Sequence, residues 1–387
     1  MSSSEDTSPR RILIHEYVTG GGWEGTAIPP SLVREGALML RALLRDFGSW
    51  PKCRTVTTLD SRCREHDLPA DLVVPTDPGA LEGTLERLLA CCDAALVVAP
   101  ETGGALARLT KLVERSGRLL LGSRSSAVLV AGDKWECHVR FQTAGLPTPR
   151  TVLFGPQGWE GDAGELGLPV VVKPADGAGC EGLELLRTWA EFEAFTADLA
   201  ADLTSSSAVH RPFLAQQYIP GVHASVSLLV GADDSCCLSL NRQELDLGRT
   251  FVLEGIEAGW KHPLGERACA LAREAVRLVP GLRGYVGVDV VLAERECFLI
   301  EINPRLTTSY AYLAEVGDAG GRLEVESDQG LFGPEKDPAR GWARGAPRGA
   351  SRGPFRGSAT RNPGLAALIW QVCAEGRLPD EDAEVLL

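Results

Sequence analysis

Three side chains with oxygen ligands stand close together in two neighbouring apolar stretches. Asp289 interrupts the run 285–292, whereas Glu301 and Asn303 belong to the run that begins at residue 297. Because side chains alternate along a strand, Glu301 and Asn303 face one side, and Asp289 joins them if the runs pair as a hairpin. Two carboxylates and an amide oxygen suit Mg2+, with Mn2+ as a substitute. The pattern predicts a metal site; the alternative is a solvated hairpin, which the cost of a lone charge in an apolar strand disfavours.

Cationic side chains and glycines elsewhere in the chain suit phosphate. Lys173 stands in the apolar run 168–174, where an ammonium group needs an anionic partner. The loop that follows, with Gly177 and Gly179, lets backbone N–H groups close over phosphate oxygens. Arg305, just behind the acidic run, adds a planar cation for phosphate or carboxylate. The chain has no Walker A pattern, so the predicted phosphate site is of another kind.

A short extended linker is predicted between two strands near the middle of the chain. Its residues are Gln216, Gln217, Tyr218 and Ile219. An extended backbone exposes N–H and C=O groups along its edge. We therefore expect this linker to hydrogen-bond a nucleotide base.

Two further acids and one arginine are candidates for contacts to a substrate. Glu16 ends the first predicted strand, and Glu101 follows a later one. Open α/β sheets bind ligands at the carboxyl ends of their strands, so both acids are candidate substrate ligands. A structural role is the alternative for Glu16. Arg242 lies in the strand-like run 238–243 and is a candidate for stabilising negative charge.

The first third of the chain alternates between strand-like and helix-like patterns. Strand-like apolar runs occur at 11–18, 53–58, 94–99 and 119–122. This alternation predicts a doubly wound α/β domain. The cluster 19–25 contains the GxGxxG spacing of dinucleotide-binding folds, but Pro29 and Pro30 interrupt the helix that should follow. A substrate loop is the better interpretation of this cluster.

Composition limits the classes of partner. The 387 residues carry a net charge of -13 and suffice for two or three domains. This charge argues against nonspecific binding of nucleic acid, although Arg-Gly steps recur within 344–357. No run is long enough to span a membrane, and the start of the chain has no signal-peptide core. The eleven cysteines form no CxxC pair, which predicts neither a zinc site nor a disulfide framework and favours a reducing cytoplasm.

Three features occur in a fixed order: the lysine strand with its glycine loop, the Gln-Gln-Tyr-Ile linker, and the hairpin that ends Glu301-Ile-Asn303-Pro-Arg305. In this combination the chain, from about residue 11 to about 315, resembles the ATP-grasp superfamily of carboxylate–amine ligases. Within the superfamily it most resembles the tyramine–L-glutamate ligases of methanofuran biosynthesis. The stretches that carry this narrower resemblance are 122–126, 130–134, 238–243, 281–289 and 300–308.

The resemblance implies an ATP-grasp fold, α+β in the ATP-binding half, behind a doubly wound α/β pre-ATP-grasp domain. ATP is expected between two sheets, with the loop 176–182 as a lid. The residues implied for ATP are Lys134, Lys173, Gly177, Gly179, Gln216, Gln217, Tyr218 and Ile219. The implied metal ligands are Asp289, Glu301 and Asn303. The implied catalytic residues are Arg305, Lys173 and Arg242.

The resemblance, together with the composition of the two ends, divides the chain into six predicted segments. They are a disordered leader (1–10), a pre-ATP-grasp domain (11–130), a lid subdomain (131–215), a C-terminal subdomain with the metal site (216–316), a disordered Gly/Arg/Pro-rich segment (317–363), and a helix with a tail (364–387).

The implied reaction transfers the γ-phosphoryl group of ATP to an amino-acid carboxylate, with L-glutamate expected. An amine such as tyramine then attacks the acyl phosphate and gives an amide, ADP and phosphate. One alternative is a ligase for a different carboxylate–amine pair, including a peptide-forming one. Another is a regulatory protein that binds nucleotide without turnover. The expected partners are small molecules rather than membranes or nucleic acid, with a homodimer expected by analogy alone.

Overall fold

A computed structural model describes residues 9–63, 67–155, 157–204, 212–313 and 364–378. Apart from its last two residues, the predicted leader lies outside these ranges, as do the predicted disordered segment 317–363 and the tail after residue 378. Arg10, assigned above to the leader, instead begins the first strand. No helix in the described ranges combines the length and apolar composition needed to cross a membrane.

The first of three sheets is parallel and forms the N-terminal domain. Its strands are β1 (Arg10–Glu16), β2 (Cys53–Asp60), β3 (Leu72–Thr76), β4 (Ala94–Val98) and β5 (Leu119–Leu120), in the order β3-β2-β1-β4-β5. The surrounding helices are α1 (Pro30–Ser49), α2 (Leu81–Leu89) and α3 (Ala105–Arg115).

Side-chain alternation along β1 explains why helices cover both faces of this sheet. Ile12 and Ile14 pack into the core cluster that contains α1, whereas Leu13 packs with α2 and α3 on the other face. The predicted doubly wound domain is thus present. The sequence did not indicate β3, whose short apolar run ends at Pro75; a proline is tolerated there because β3 is an edge strand.

The second and third sheets form the other half of the molecule. The second contains β6 (Thr151–Gly155), β7 (Gly158–Glu160), β8 (Val170–Pro174), β9 (Glu184–Leu186) and β10 (Phe213–Gln217), in the order β7-β6-β10-β8-β9. The third contains β11 (Val222–Val230), β12 (Ser235–Leu247), β13 (Phe251–Glu257), β14 (Gly284–Leu292) and β15 (Cys297–Asn303), in the order β13-β12-β11-β14-β15. The helices are α4 (Ser125–Ala131), α5 (Lys134–Thr143), α6 (Trp189–Thr204) and α7 (Gly265–Arg277).

The third sheet has one apolar face and one polar face. Ala224, Val226 and Val288 pack with α7, so the residues between them point the other way. Asp289 pairs directly with Glu301, and Gly287 pairs with Asn303. The predicted register of the hairpin is therefore confirmed, and all three polar residues lie on the face away from α7.

A C-terminal helix, α8 (Leu365–Glu375), connects the two halves of the molecule. Trp370 lies 5.6 Å from Trp50 at the end of α1, measured between ring centroids. On its other side, the Gly376 carbonyl accepts a 2.8 Å hydrogen bond from the Ala232 N–H. The predicted helix near residues 364–376 thus packs against both the first and the third sheets.

Replacing Ile369 by alanine tests the contribution of α8. The side chain is fully buried at this junction, and the smaller residue leaves a cavity. We expect Ile369→Ala to lower the free energy of unfolding by about 2–5 kcal/mol in denaturant titrations. Leu129→Ala is the control, because Leu129 is 62% exposed and its loss should cost less than about 0.5 kcal/mol. Equal effects of the two substitutions would show that α8 does not contribute.

One disulfide contradicts the expectation drawn from cysteine spacing. Cys237 on β12 is bonded to Cys269 on α7, 32 residues further along the chain. Neither residue belongs to a spacing motif, and only the packing of helix on sheet brings them together. The prediction that the chain holds no disulfide framework is therefore wrong at this pair.

Candidate active site

A cavity of about 180 Å³ lies between the second and third sheets and reaches α1. Most of the predicted site residues belong to its wall. Those that line it are Lys173, Gly179, Gln216, Gln217, Tyr218, Ile219, Asp289, Glu301, Asn303 and Arg305. Residues distant in the chain thus converge on one space, as the sequence predicted for a nucleotide site.

The acidic pair forms one corner of this cavity. Burial and the nearby Glu301 charge raise the pKa of Asp289 to about 7. Burial alone would also raise the pKa of Glu301, but the charges of Lys134 and Lys173 outweigh it, and this pKa falls below its usual range. Two neighbouring carboxylates that repel each other in this way suit a divalent cation, which would remove the repulsion.

Two of the predicted metal ligands, Asp289 and Asn303, form hydrogen bonds within the protein. The Asn303 Nδ2 donates to Asp289 Oδ2 at 3.1 Å, and the Gln243 Nε2 donates to Asp289 Oδ1 at 3.1 Å. Asn303 was predicted to present its oxygen, so its amide would have to turn to do so. No group of three His, Cys, Asp or Glu side chains converges anywhere in the described ranges. Two carboxylates and an amide are nevertheless a set that fits Mg2+, whose remaining ligands are usually water and phosphate.

The two predicted lysines are both buried, but only Lys173 lines the cavity. Lys173 lines it and donates to Gln216 Oε1 at 3.0 Å, and burial lowers its pKa to about 8. Lys134 lies outside the cavity wall. Its Nζ is 3.3 Å from Glu301 Oε2 and donates to the Gly177 carbonyl at 2.6 Å. Lys134 therefore links Glu301, a predicted metal ligand, to the glycine loop.

The linker has fewer hydrogen-bonding groups available to a nucleotide base than predicted. Both ends of the Gln216 amide are already hydrogen-bonded. Its Oε1 accepts from Lys173, and its Nε2 donates to the Thr151 hydroxyl at 2.9 Å. The N–H groups of Gln217 and Tyr218 donate to carbonyls of Arg150 and Pro169. A base would have to use the other backbone groups of the linker, because the Gln216 side chain is already hydrogen-bonded within the protein.

Arg305 is held by Glu101 rather than left free. Its Nε and Nη2 donate to the two carboxylate oxygens of Glu101 at 2.9 and 3.0 Å. Glu101 is buried and does not line the cavity, so its predicted substrate contact is replaced by a role in positioning Arg305. A bidentate pair of this kind fixes the plane of the guanidinium group.

Glu16 also has a structural position. Its carboxylate accepts hydrogen bonds from the N–H groups of Val18 and Thr19 and from the Thr19 hydroxyl. It closes the turn after β1, and α1 passes so close that a Cβ on Gly36 would lie 2.5 Å from its Oε2. The structural alternative for Glu16 thus matches the geometry, and the prediction that it contacts substrate does not.

Arg242 is the other predicted residue that the structure places elsewhere. It lies 3.8 Å from Glu244 and over the ring of Trp260, outside the cavity wall. Side chains alternate along β12, so the neighbouring Gln243 faces the cavity and Arg242 does not. Arg242 therefore does not reach the cavity from this position.

Several residues that line the cavity were missed. Glu35 on α1 accepts a 2.7 Å hydrogen bond from the Thr308 hydroxyl, although the two are 273 residues apart. Ser225 and Ser309 stand beside them, with hydroxyl oxygens 3.5 Å apart. The hydroxyl-rich run directly behind Arg305 was an available signal, but nothing local pointed to Glu35. This end of the cavity offers a carboxylate and hydroxyls near Arg305.

Comparison with known proteins agrees with this geometry. A family model of the ATP-grasp domain matches residues 131–309, and one of the pre ATP-grasp 3 domain matches residues 53–128. The chain is 33% identical over 301 residues to the tyramine–L-glutamate ligase of Methanocaldococcus jannaschii, covering 77% of this chain and 83% of that one. The corresponding enzyme of Methanocaldococcus fervens is also 33% identical.

Solved structures share the fold. An ATP-grasp superfamily protein from Archaeoglobus fulgidus superposes with a TM-score of 0.59 at 26% identity, covering 81% of this chain and 89% of that one. The D-alanine–D-alanine ligase of Bacillus anthracis, solved with ATP, gives a TM-score of 0.55 at 16% identity over 79% and 92% of the two chains. With a relative of more than 30% identity spanning most of both chains, this protein belongs to the ATP-grasp family of ligases.

Proposed function

We propose that this enzyme joins the carboxylate of L-glutamate to the amine of tyramine at the expense of ATP. The observation that carries the proposal is the convergence of Lys173, the acidic pair and Arg305 on one cavity that also contains Glu35. The first three suit a nucleotide triphosphate and a reacting carboxylate, and Glu35 suits a cationic group. The choice of glutamate and tyramine follows the two Methanocaldococcus relatives.

The proposed reaction has two steps. A carboxylate oxygen of the acid forms a bond to the γ-phosphorus while the bond to the ADP oxygen breaks. The amine nitrogen then forms a bond to the acyl carbon, phosphate leaves, and the nitrogen loses a proton. Phosphoryl transfer requires positioning and neutralised charge more than covalent help from the protein.

The side chains have separate tasks in this scheme. Lys173 places positive charge against the phosphates, and Arg305, fixed by Glu101, neutralises the reacting carboxylate and the oxyanion that forms from it. Asp289, Glu301 and Asn303 would hold Mg2+, which supplies charge neutralisation at phosphate oxygens when bound. The Gly177 loop, tied to Lys134, covers this region and limits the access of water to the acyl phosphate.

The test is release of ADP from Mg-ATP with L-glutamate and a panel of amines. Release that requires both L-glutamate and tyramine, with a product of the mass of their amide, would support the proposal. Release with a different pair would retain the ligase chemistry and remove these substrates. Nucleotide binding without turnover across the panel would contradict the proposal.

Glu35 gives a prediction about the amine side of the reaction. We expect Glu35→Gln to raise KM for the substrate whose ammonium group it holds by roughly 10- to 100-fold, the value of one charge-assisted hydrogen bond. KM for ATP should change by less than about twofold. Glu82→Gln, an exposed acid paired with Arg108 on the surface, is the control. A uniform fall in kcat with all KM values unchanged would rule out this role for Glu35.

A further inference from the structure

One amide side chain in the cavity wall has no part in the reaction scheme above. Gln243 of β12 lines the cavity, and its Nε2 donates to Asp289 Oδ1 at 3.1 Å. The Asn303 Nδ2 donates to the other oxygen of the same carboxylate, Oδ2, also at 3.1 Å. Both oxygens of Asp289, a predicted metal ligand, are therefore held by amide groups of other strands.

The direction in which Gln243 points follows from the pairing of the third sheet. Asn241 and Asp289 both pair with Ser225 of β11, so the three side chains share the cavity face. Gln243 is two residues beyond Asn241 on the same strand and therefore points to the same side. The register of β12 thus aims this amide at the metal site.

The hydrogen bond from Gln243 to Asp289 crosses a whole strand. Gln243 lies on β12 and Asp289 on β14, with β11 between them. The backbones of β12 and β14 are thus two strand spacings apart, or roughly 9.6 Å. Ser225, the residue of β11 that pairs with Asp289, has a short side chain that leaves room for this contact. Only a side chain as long as that of glutamine can reach Asp289 from this position on β12.

The two amides that hold Asp289 would respond differently to a bound cation. Asn303 is itself a predicted ligand, and its amide has to turn to present its oxygen, so that Nδ2 no longer donates to Asp289. Gln243 is not in the predicted ligand set. A carboxylate oxygen has two lone pairs and can accept a hydrogen bond while it binds a metal. Gln243 is therefore the donor that stays on Asp289 when the site is loaded.

We propose that Gln243 is a positioning residue, which holds the Asp289 carboxylate in the orientation that binds the divalent cation. Donors to metal-binding carboxylates raise metal affinity because they fix the ligand before the metal arrives. The inference rests on the proposed function, in which Asp289 would hold Mg2+ at the phosphates. It does not depend on which acid or amine reacts.

The test measures binding of a nonhydrolysable ATP analogue to the full-length protein by calorimetry, once with Mn2+ and once with EDTA. The ratio of the two affinities reports the contribution of the metal, because metal and nucleotide binding are linked. Gln243→Met keeps the length of the side chain but removes the donor. We expect it to lower this ratio roughly tenfold or more and to change the affinity in EDTA by less than about twofold. Gln243→Asn keeps the amide but is too short to reach Asp289, so its ratio should fall as well.

The control is the next residue of β12. Glu244→Gln removes an exposed acid that lies 3.8 Å from Arg242, outside the cavity wall and on the other face of the strand. Both affinities of this variant should match those of the natural protein.

Other outcomes separate this inference from the proposed function. A ratio within about twofold of the natural value in either Gln243 variant overturns the inference and leaves the proposed function in place. An equal loss of affinity in Mn2+ and in EDTA also overturns it, since Gln243 would then shape the cavity and not the metal site. A natural protein that gains no affinity from Mn2+ overturns the predicted metal site itself. One that binds no analogue under either condition overturns the proposed use of ATP.

Discussion

Glu301→Gln is expected to lower kcat by about a hundred- to a thousandfold, the cost of removing one preorganised charge from a phosphoryl-transfer site. The side chain faces Asp289 across the hairpin and takes part in the acidic corner of the cavity. Glutamine retains the size of the group but not its charge, so the loss should appear in kcat and in the Mg2+ concentration needed for half-maximal rate. Steady-state ADP release with Mg2+ titration measures both.

The control for this substitution lies in the same hairpin. Glu296→Gln removes an exposed acid that pairs with Arg267 at 3.1 Å, and its kinetics should match the natural protein. Glu301→Ala is less informative, because it removes the side-chain oxygen that lies 3.3 Å from the buried Lys134 ammonium, whereas glutamine keeps an amide oxygen at that place. Retention of kcat within tenfold by Glu301→Gln would show that Glu301 serves the fold and not the reaction.

Lys173→Met should raise the dissociation constant for ATP by roughly 10- to 100-fold and lower kcat by at least a similar factor, because a charged contact to phosphate is lost. Methionine fills nearly the same apolar volume, and we expect little change in stability, because the lost hydrogen bond to Gln216 and the removal of a buried charge act in opposite directions. Removing a buried ammonium whose pKa burial has lowered to about 8 also removes a desolvation cost.

The pH dependence of binding supplies a second measurement at Lys173. The ammonium form binds anionic phosphates, so ATP affinity should fall as the pH rises through about 8, the pKa of this lysine in the free protein. Lys173→Met should lack this fall, whereas Lys111→Met, on α3 and outside the cavity wall, should retain it. An unchanged pH profile in Lys173→Met would show that another group titrates.

Local patterns predicted the parts of the site that a single hairpin or strand creates. Strand periodicity places Glu301 and Asn303 on one face. The register of the hairpin, which pairs Asp289 with Glu301, then brings Asp289 to the same face. Lys173 was identified because a lysine in an apolar strand requires a partner. Alternation of apolar runs likewise predicted the first sheet.

The incorrect or missing predictions concern residues whose neighbours are set by the tertiary fold and not by local sequence. Glu35 reaches the cavity only because α1 packs beside the segment that follows β15, where Thr308 donates to it. Cys237 meets Cys269 only because α7 packs on β12. Glu101 was predicted to contact substrate because it follows a strand, but its carboxylate instead accepts hydrogen bonds from Arg305, 204 residues further along the chain. Arg242 and Gln243 are adjacent in sequence, and because side chains alternate along β12, only one of them can face the cavity. The sequence did not show that this residue is Gln243.

The most direct test of the account follows oxygen atoms through the reaction. L-glutamate labelled with ¹⁸O in its carboxylates would be incubated with tyramine, Mg-ATP and the enzyme, and the released phosphate analysed by mass spectrometry. Attack of a carboxylate oxygen on the γ-phosphorus predicts one ¹⁸O atom in each phosphate released, together with ADP. Phosphate without ¹⁸O, or AMP that carries the label, would contradict the acyl-phosphate mechanism and the roles assigned here to Lys173, Glu301 and Arg305.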